Sequence, residues 1–137
     1  MTEDIEEAWS RIADFQHVFL ATMEGSKPRV RPVTLINFDR RFWIMTDTWS
    51  EKVKQIHKNP NVEFSFTFAD GDEDCCMRVT GSAKAIEDKQ LKTKLSKHCD
   101  FFSKHWKTAD DPNYTLLEVC PAEIVIVRPH ETTRMKV

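Results

Sequence analysis

A series of short apolar, β-rich runs separated by turn residues constrains the fold of this chain more than any other feature. The runs predicted as strands are 17–23, 29–36, 42–46, 62–68, 77–86, 115–119 and 123–127. In the run 62–68, three phenylalanines alternate with polar residues, so one face should lie in the core and the other in water. Runs joined by a short turn, as at 24–27, form antiparallel hairpins. We therefore predict a mainly β fold, a small antiparallel barrel of six to seven strands.

Two to three helices are predicted beside the strands. An amphipathic helix near the beginning is indicated by apolar residues at helical spacing, namely Ile5, Ala8, Trp9 and Ile12. A second, short helix follows Ser50 and is ended by Asn59 and Pro60. A longer helix of several turns is predicted from a stripe at three- and four-residue steps, namely Leu91, Leu95, Cys99, Phe102 and Trp106.

Length and composition fit one domain spanning residues 1–137. The formal net charge of −2 gives the chain no general affinity for nucleic acid. The acidic beginning is not followed by a long apolar run, so we expect no secretory signal, no membrane partner and a cytoplasmic location. The four cysteines have no ligand spacing, so we expect free thiols and no metal site.

The segment from Thr46 to Lys52 has the character of an anion site. Thr48 and Glu51 are spaced as a capping box at the start of the second helix. A helix N-terminus offers unpaired N–H groups and a partial positive charge, to which Thr46 and Ser50 would add hydroxyl donors. Lys52 opposes the helix dipole unless an anion lies beside it. The simpler interpretation, an ordinary cap and a solvated lysine, remains open.

The second predicted strand brings positive charge toward the same segment. Arg29 and Arg31 lie on one side of it, and Pro32 predicts a sheet edge or a bulge because proline cannot donate to a ladder. If the second and third strands are neighbours, Arg31 and Lys52 can converge on a phosphate. The alternative is that these arginines form surface pairs with residues such as Glu63.

The sequence offers no acid–base machinery of a known kind. It contains neither G-x-S-x-G nor H-E-x-x-H, and no carboxylates spaced as in glycosidases. The absence of G-x-G-x-x-G argues against a Rossmann dinucleotide site. Chemistry at the phosphate site would therefore belong to a phosphate-bearing cofactor.

Ordered segments along the chain resemble the FMN-binding split barrel of the pyridoxamine 5′-phosphate oxidase-like superfamily. They are residues 29–33 (RVRPV), 42–47 (FWIMTD), 50–52 (SEK), 59–62 (NPNV) and 79–83 (VTGSA). The resemblance covers about residues 10–128 and is strongest to the short general stress protein branch. It implies a six- to seven-stranded antiparallel split β-barrel.

The resemblance also implies a homodimer with one FMN at each subunit interface, and a small-molecule electron donor or acceptor. The flavin ring would lie along the second strand, and the ribityl chain would lie beside Thr46 and Asp47. Ser50 and Lys52 match the positions that grip phosphate. The implied cofactor-binding residues are Arg31, Pro32, Val33, Thr34, Met45, Thr46, Asp47, Ser50, Glu51 and Lys52.

Departures from the oxidase argue against pyridoxamine 5′-phosphate oxidation. A glutamine that contacts flavin in the oxidase corresponds to Cys76 or Met77, and a tryptophan near its C-terminus corresponds to Val127. The Arg-x-His that grips pyridoxal phosphate has its nearest counterpart in Arg128 and His130.

Three functional hypotheses follow. The first is an FMN-dependent oxidoreductase of unknown substrate, with Trp49 or Trp106 walling the substrate side. The second is a flavin-binding or stress-related protein without turnover, and a deazaflavin is an alternative to FMN in either. The third, which the net charge disfavours, is a barrel that binds single-stranded nucleic acid through Lys27, Arg29, Arg31, Phe38, Arg40, Arg41 and Trp43.

Overall fold

A computed structural model describes residues 2–137, so Met1 of the predicted domain lies outside the described part. The strands are β1 (Phe15–Glu24), β2 (Lys27–Phe38), β3 (Arg41–Asp47), β4 (Asn61–Asp70), β5 (Glu73–Ala85), β6 (Tyr114–Val127) and β7 (Thr132–Lys136). The helices are α1 (Thr2–Ser10), α2 (Glu51–Lys58), α3 (Lys89–His98) and a 3-10 helix, Asp100–Lys104. The strands form one antiparallel sheet, so the predicted mainly β class is confirmed.

The sheet closes into a split barrel. Its strand order is β3-β2-β1-β4-β5-β6-β7, and β3 also pairs with β6, so the first six strands form a ring. β2 pairs with β1 along its length, from Lys27 to Ile36, but it pairs with β3 only at residues 36–38. The preceding part of β2, which contains Pro32, therefore has an open edge toward β3. This is the edge that the proline predicted.

The alternating residues of the strands fill the barrel. The predicted aromatic face of β4 is confirmed, since Phe64 and Phe66 are buried in the main core. Helix α1 closes one end of the barrel with Ala8, and the Trp9 ring stacks on Phe42 at 4.7 Å between centroids. Strand β1 runs from this end toward α2, which covers the opposite end with Ile56.

A second layer packs on the outer face of β3 and β6. Its buried core combines strand residues with α3 and the 3-10 helix, namely Ile36, Trp43, Leu95, Cys99, Phe102, Trp106, Tyr114 and Leu116. The predicted single helix over this stripe is wrong, because Cys99 has extended backbone angles (φ −107°, ψ 109°) that end α3. The 3-10 helix then continues the apolar stripe in a new direction.

The C-terminal strands also differ from expectation. The two predicted strands around Cys120 are one strand, β6, whose register against β5 shifts between Thr80 and Gly81. A side chain at Gly81 would overlap the carbonyl group of Cys120, so this bulge requires glycine. Strand β7 was not predicted because only Met135 of its residues is buried. No helix in the described part of the chain is long and apolar enough to cross a membrane.

Candidate functional site

A cavity of about 280 Å³ opens at the free edge of β2. Predicted site residues from β2, β3 and α2 line it, namely Pro32, Val33, Thr34, Met45, Thr46, Asp47 and Lys52. The opposite wall is aromatic and comes from the 3-10 helix and the turn after it, namely Phe101, His105 and Trp106. Arg31, Ser50 and Glu51, which were also predicted, do not line this cavity.

The predicted capping box at the start of α2 is wrong. The residue that precedes the helix is Ser50, and its side chain makes no capping hydrogen bond. The Thr48 hydroxyl instead donates to the carbonyl oxygen of Pro112 at 2.8 Å and lies 2.7 Å from the Thr115 hydroxyl. Glu51 is exposed. The N-terminus of α2 therefore keeps its N–H groups free of side-chain caps.

Lys52 is held inside the site. Its Nζ donates to Thr46 Oγ1 at 2.7 Å, and that hydroxyl lies 3.2 Å from Ser50 Oγ. Burial lowers the pKa of Lys52 below its usual value, the positive charge of Arg31 lowers it further, and Asp47 acts in the opposite direction. The interpretation of Lys52 as a solvated surface charge is thus wrong.

Arg31 lies half-buried beneath α2. Its Nη1 donates to the Leu20 carbonyl oxygen at 3.2 Å and its Nη2 donates to Gln55 Oε1 at 2.8 Å. Burial lowers the pKa of Arg31. Among the ion pairs of the described residues none joins Arg31 to Glu63, and that carboxylate accepts a hydrogen bond from Thr80 at 2.9 Å. Arg29, by contrast, is an exposed partner of Glu24.

Arg31 and Lys52 lie near enough for the charge of Arg31 to lower the pKa of Lys52, and neither has a counter-charge at hydrogen-bond distance. The ion pairs of the described residues include neither Arg31 nor Lys52. Partly buried charges of the same sign raise the free energy of the folded state unless an anion joins them. The donors also include the hydroxyl groups of Thr46 and Ser50 and the N–H groups of α2. This set of groups fits a phosphate.

Asp47 connects the two walls of the cavity. Its Oδ1 accepts from Trp106 Nε1 at 3.1 Å and from Asn113 Nδ2 at 3.0 Å. Of the two tryptophans considered as walls, Trp106 therefore lines the cavity, while Trp49 is exposed and lies outside it. The sequence analysis did not identify Phe101 and His105 as site residues, because it predicts one continuous helix through Cys99. The helix in fact ends there, and the 3-10 helix that follows brings both residues to the cavity.

The residues at which the chain departs from the oxidase do not line the cavity. Met77 is fully buried in the barrel core and Cys76 is half-buried on the other face of β5. Arg128 forms ion pairs with Glu7 at 2.7 Å and with Asp70 at 3.8 Å, at the α1 end of the barrel. Its side chain is engaged in holding the fold together.

The structure gives little support to a nucleic-acid surface. Trp43, the central aromatic residue of that hypothesis, is buried and donates its Nε1 hydrogen to the Phe38 carbonyl oxygen at 3.1 Å. A buried ring cannot stack on bases. Three of its basic residues are paired with carboxylates, namely Arg29, Arg40 and Arg41.

Comparisons with known proteins agree with the fold. The family profile described as pyridoxamine 5′-phosphate oxidase matches residues 1–128. General stress protein 26 of Bacillus subtilis (strain 168) is 29% identical over 133 residues, which cover 96% of this chain and 94% of that protein.

Solved structures extend the likeness. General stress protein 26 from Bacillus anthracis str. Sterne superposes with a TM-score of 0.75 at 24% identity, covering 97% of this chain and 98% of that one. An FAD-binding protein from Mesorhizobium loti superposes with a TM-score of 0.68 at 17% identity, covering 96% of this chain and 93% of that one.

Proposed function

Because the chain belongs to the pyridoxamine 5′-phosphate oxidase family, we propose that it binds FMN and acts as a flavin-dependent oxidoreductase of unknown substrate. The observation that supports this most is the pair Arg31 and Lys52, two partly buried cations held by hydrogen bonds to neutral groups. The Mesorhizobium loti protein is named for binding FAD, and FAD belongs to the same class of cofactor as FMN.

In this proposal the phosphate lies at the end of α2. Arg31 and Lys52 supply two positive charges, which match the dianionic phosphate group that ends FMN. Thr46 and Ser50 supply hydroxyl donors and α2 supplies its first N–H groups. In FAD the corresponding phosphate is esterified and carries less charge at that point. The concentration of positive charge therefore favours FMN.

The rest of the cavity would hold the flavin ring and its chain. Residues 32–34 present an open strand edge whose backbone groups are free of β3. One carboxylate oxygen of Asp47 accepts hydrogen bonds from Trp106 and Asn113, which fixes the orientation of the carboxylate. Its other oxygen would accept from the hydroxyl groups of the ribityl chain. The aromatic side of Trp106 excludes water from the opposite wall. The flavin, when bound, supplies the electron transfer, and the protein binds and orients it.

A second copy of the chain would complete the site. Phe19 is 57% exposed and Val30 is 64% exposed, and Phe19 lies opposite Pro32 in the β1–β2 register. An exposed apolar face beside the cavity is typical of an interface. We expect a homodimer that FMN stabilises, measured by light scattering after size-exclusion chromatography with and without the cofactor. A monomer in both conditions would contradict this part of the proposal.

Flavin binding without turnover is the second candidate. Asp47 and Lys52, the charged residues that line the cavity, are both engaged in hydrogen bonds within the protein. This favours a site in which these two charged residues hold a cofactor rather than take part in proton transfer. Anaerobic reduction of bound flavin by NADH or NADPH, faster than reduction of free FMN, would support the oxidoreductase. Equal rates would support the carrier.

The first test is the visible absorption spectrum of the purified protein with and without added FMN, followed by chromatography of the released ligand. A flavin spectrum perturbed by binding, with FMN as the released compound, is the expected result. If the released ligand is a deazaflavin or FAD, that compound replaces FMN as the proposed cofactor. No bound flavin after reconstitution would remove the proposal and leave the α2 end as an anion site of another kind.

A further inference from the structure

Two buried polar residues form a hydrogen-bonded group with Arg31 and do not line the cavity. Thr22 on β1 is 1% exposed and Gln55 on α2 is 6% exposed. Gln55 Oε1 accepts a hydrogen bond from Thr22 Oγ1 at 2.5 Å and another from Arg31 Nη2 at 2.8 Å. Buried polar groups are expensive to retain in a barrel that could be filled with apolar side chains. This three-residue contact therefore needs a reason.

We infer that Gln55 is a positioning residue, which holds the Arg31 guanidinium toward the phosphate site without neutralising its charge. The inference rests on the proposed function, because it assigns the purpose of the contact to the bound phosphate. Gln55 itself does not line the cavity. It acts through Arg31, whose other Nη hydrogen bond is to the neutral Leu20 carbonyl group.

The amide is the group that this task requires. Most arginines in the described chain are held by carboxylates, namely Arg11, Arg29, Arg40, Arg41, Arg128 and Arg134. A carboxylate holds an arginine side chain in place, but its negative charge offsets the positive charge that would otherwise attract a bound anion. An amide oxygen accepts the same hydrogen bond and leaves the positive charge uncompensated. Lys52 is held in the same manner by the hydroxyl group of Thr46.

Thr22 anchors the amide oxygen in place. A glutamine side chain can turn so that either its oxygen or its NH₂ group faces a neighbour. With the oxygen between the Thr22 hydroxyl and Arg31, both neighbours donate to it. The reverse orientation would place the NH₂ group against the guanidinium, where two donors would meet. The guanidinium, which can only donate, therefore selects the oxygen, and the Thr22 hydroxyl donates a second hydrogen bond that holds this oxygen in place.

The test compares FMN with riboflavin, which lacks the phosphate, by titration of flavin fluorescence. Gln55→Glu places a carboxylate of nearly the same shape against Arg31, and it should weaken FMN binding by about 10- to 100-fold, the scale of one charged hydrogen bond. Riboflavin affinity should change by less than about threefold, because it lacks the phosphate. Gln90→Glu, an exposed change on α3 with the same added charge, should leave both affinities unaltered.

A second pair of variants guards against a general effect of the Gln55 change on folding. Thr22→Val removes the hydroxyl group and should reduce the preference for FMN over riboflavin, whereas Thr22→Ser keeps the hydroxyl group and should restore it. If the wild type prefers FMN but Gln55→Glu and Thr22→Val keep the full preference, the positioning role is overturned and the proposed function stands. If the wild type does not prefer FMN over riboflavin, both are overturned.

Discussion

The two ends of the barrel hold their cations in opposite ways. At the α1 end, Arg128 has a side chain only 12% exposed and is paired with the carboxylates of Glu7 and Asp70. At the α2 end, Arg31 and Lys52 are also partly buried, but their partners are an amide, a carbonyl and a hydroxyl group. The cation at one end has carboxylate partners, and the two cations at the other end have neutral ones.

This difference separates a structural ion pair from a ligand site. A partly buried cation that is paired with a carboxylate satisfies both groups and ties two elements together. A cation that is held by neutral groups loses hydration and gains no compensating charge, so it destabilises the folded chain until an anion arrives. The α2 end is therefore the place where charge is reserved for binding. Four predictions test that contrast.

The largest effect should come from removing both cations at the α2 end. Each charged hydrogen bond contributes about 1.5–3 kcal/mol, so Arg31→Met with Lys52→Met should weaken FMN binding by about 3–6 kcal/mol. Riboflavin binding should change little, and the ligand-free variant should unfold at the same urea concentration or a higher one. Fluorescence titration and urea unfolding measure these two results. A double variant that still prefers FMN would show that the phosphate binds elsewhere.

Lys52→Ala alone should have about half that effect. The loss of one charged donor is expected to weaken FMN binding by about 1.5–3 kcal/mol. Lys54→Ala is the matched control, since it removes an exposed lysine from the same helix. Unchanged FMN affinity in the Lys52 variant would show that Lys52 does not bind the phosphate. An equal loss in both variants would indicate a long-range electrostatic effect of positive charge rather than a specific contact.

The α1 end should respond in the opposite manner. Arg128→Met leaves Glu7 without its partner, whereas Asp70 keeps its ion pair with Arg11 at 3.1 Å. The variant should lower the free energy of unfolding by about 1–2 kcal/mol, because the Glu7 carboxylate remains partly solvated. FMN affinity should not change. Urea unfolding and the same flavin titration check both statements. A loss of FMN affinity without a loss of stability would contradict the assignment of a structural role to Arg128 at the α1 end.

The smallest effect is a pH dependence at the α2 end. Since the pKa of Lys52 lies below its usual 10.5, Lys52 loses its proton in the folded chain before it does so in the unfolded chain. In that alkaline range the unfolded state binds more protons, so the ligand-free chain should gain stability as pH rises. FMN affinity should fall over the same range, by up to about tenfold per pH unit.

Riboflavin shares the flavin ring and corrects this measurement for ionisation of the ring. Lys52→Met should remove the fall in the ratio of FMN to riboflavin affinity. A ratio that falls equally in wild type and variant would assign the titration to another group.

Much of this arrangement could be predicted from local patterns. The alternation of β4 and the short turns between strands predicted the antiparallel sheet, because both signals span only a few residues. Pro32 predicted the open edge of β2 for the same reason. The convergence of Arg31 and Lys52 followed from placing two consecutive strands side by side. Assignment of the cofactor-binding residues to FMN remains a prediction.

Other features depended on contacts between distant parts of the chain. Thr48 looked like a helix cap, but Pro112 and Thr115 take its hydroxyl group. The helical stripe after Leu91 continued through Cys99, but packing against the outer face of β3 and β6 is shared by two helices of different direction. Local spacing contains no information about either partner.

By itself the sequence determined the mainly β class, the positions of most strands and the identity of two cations that lie near α2. Only the tertiary structure decided how those cations are held. Gln55 has the appearance of one more polar residue in a short helix, and Thr22 that of a strand residue. Yet Thr22 donates to Gln55 across 33 positions in sequence, and the same Gln55 oxygen accepts from Arg31. Whether a charge is cancelled or kept available depends on which group lies against it, and that is settled by the packing of α2 on the barrel rather than by any local pattern.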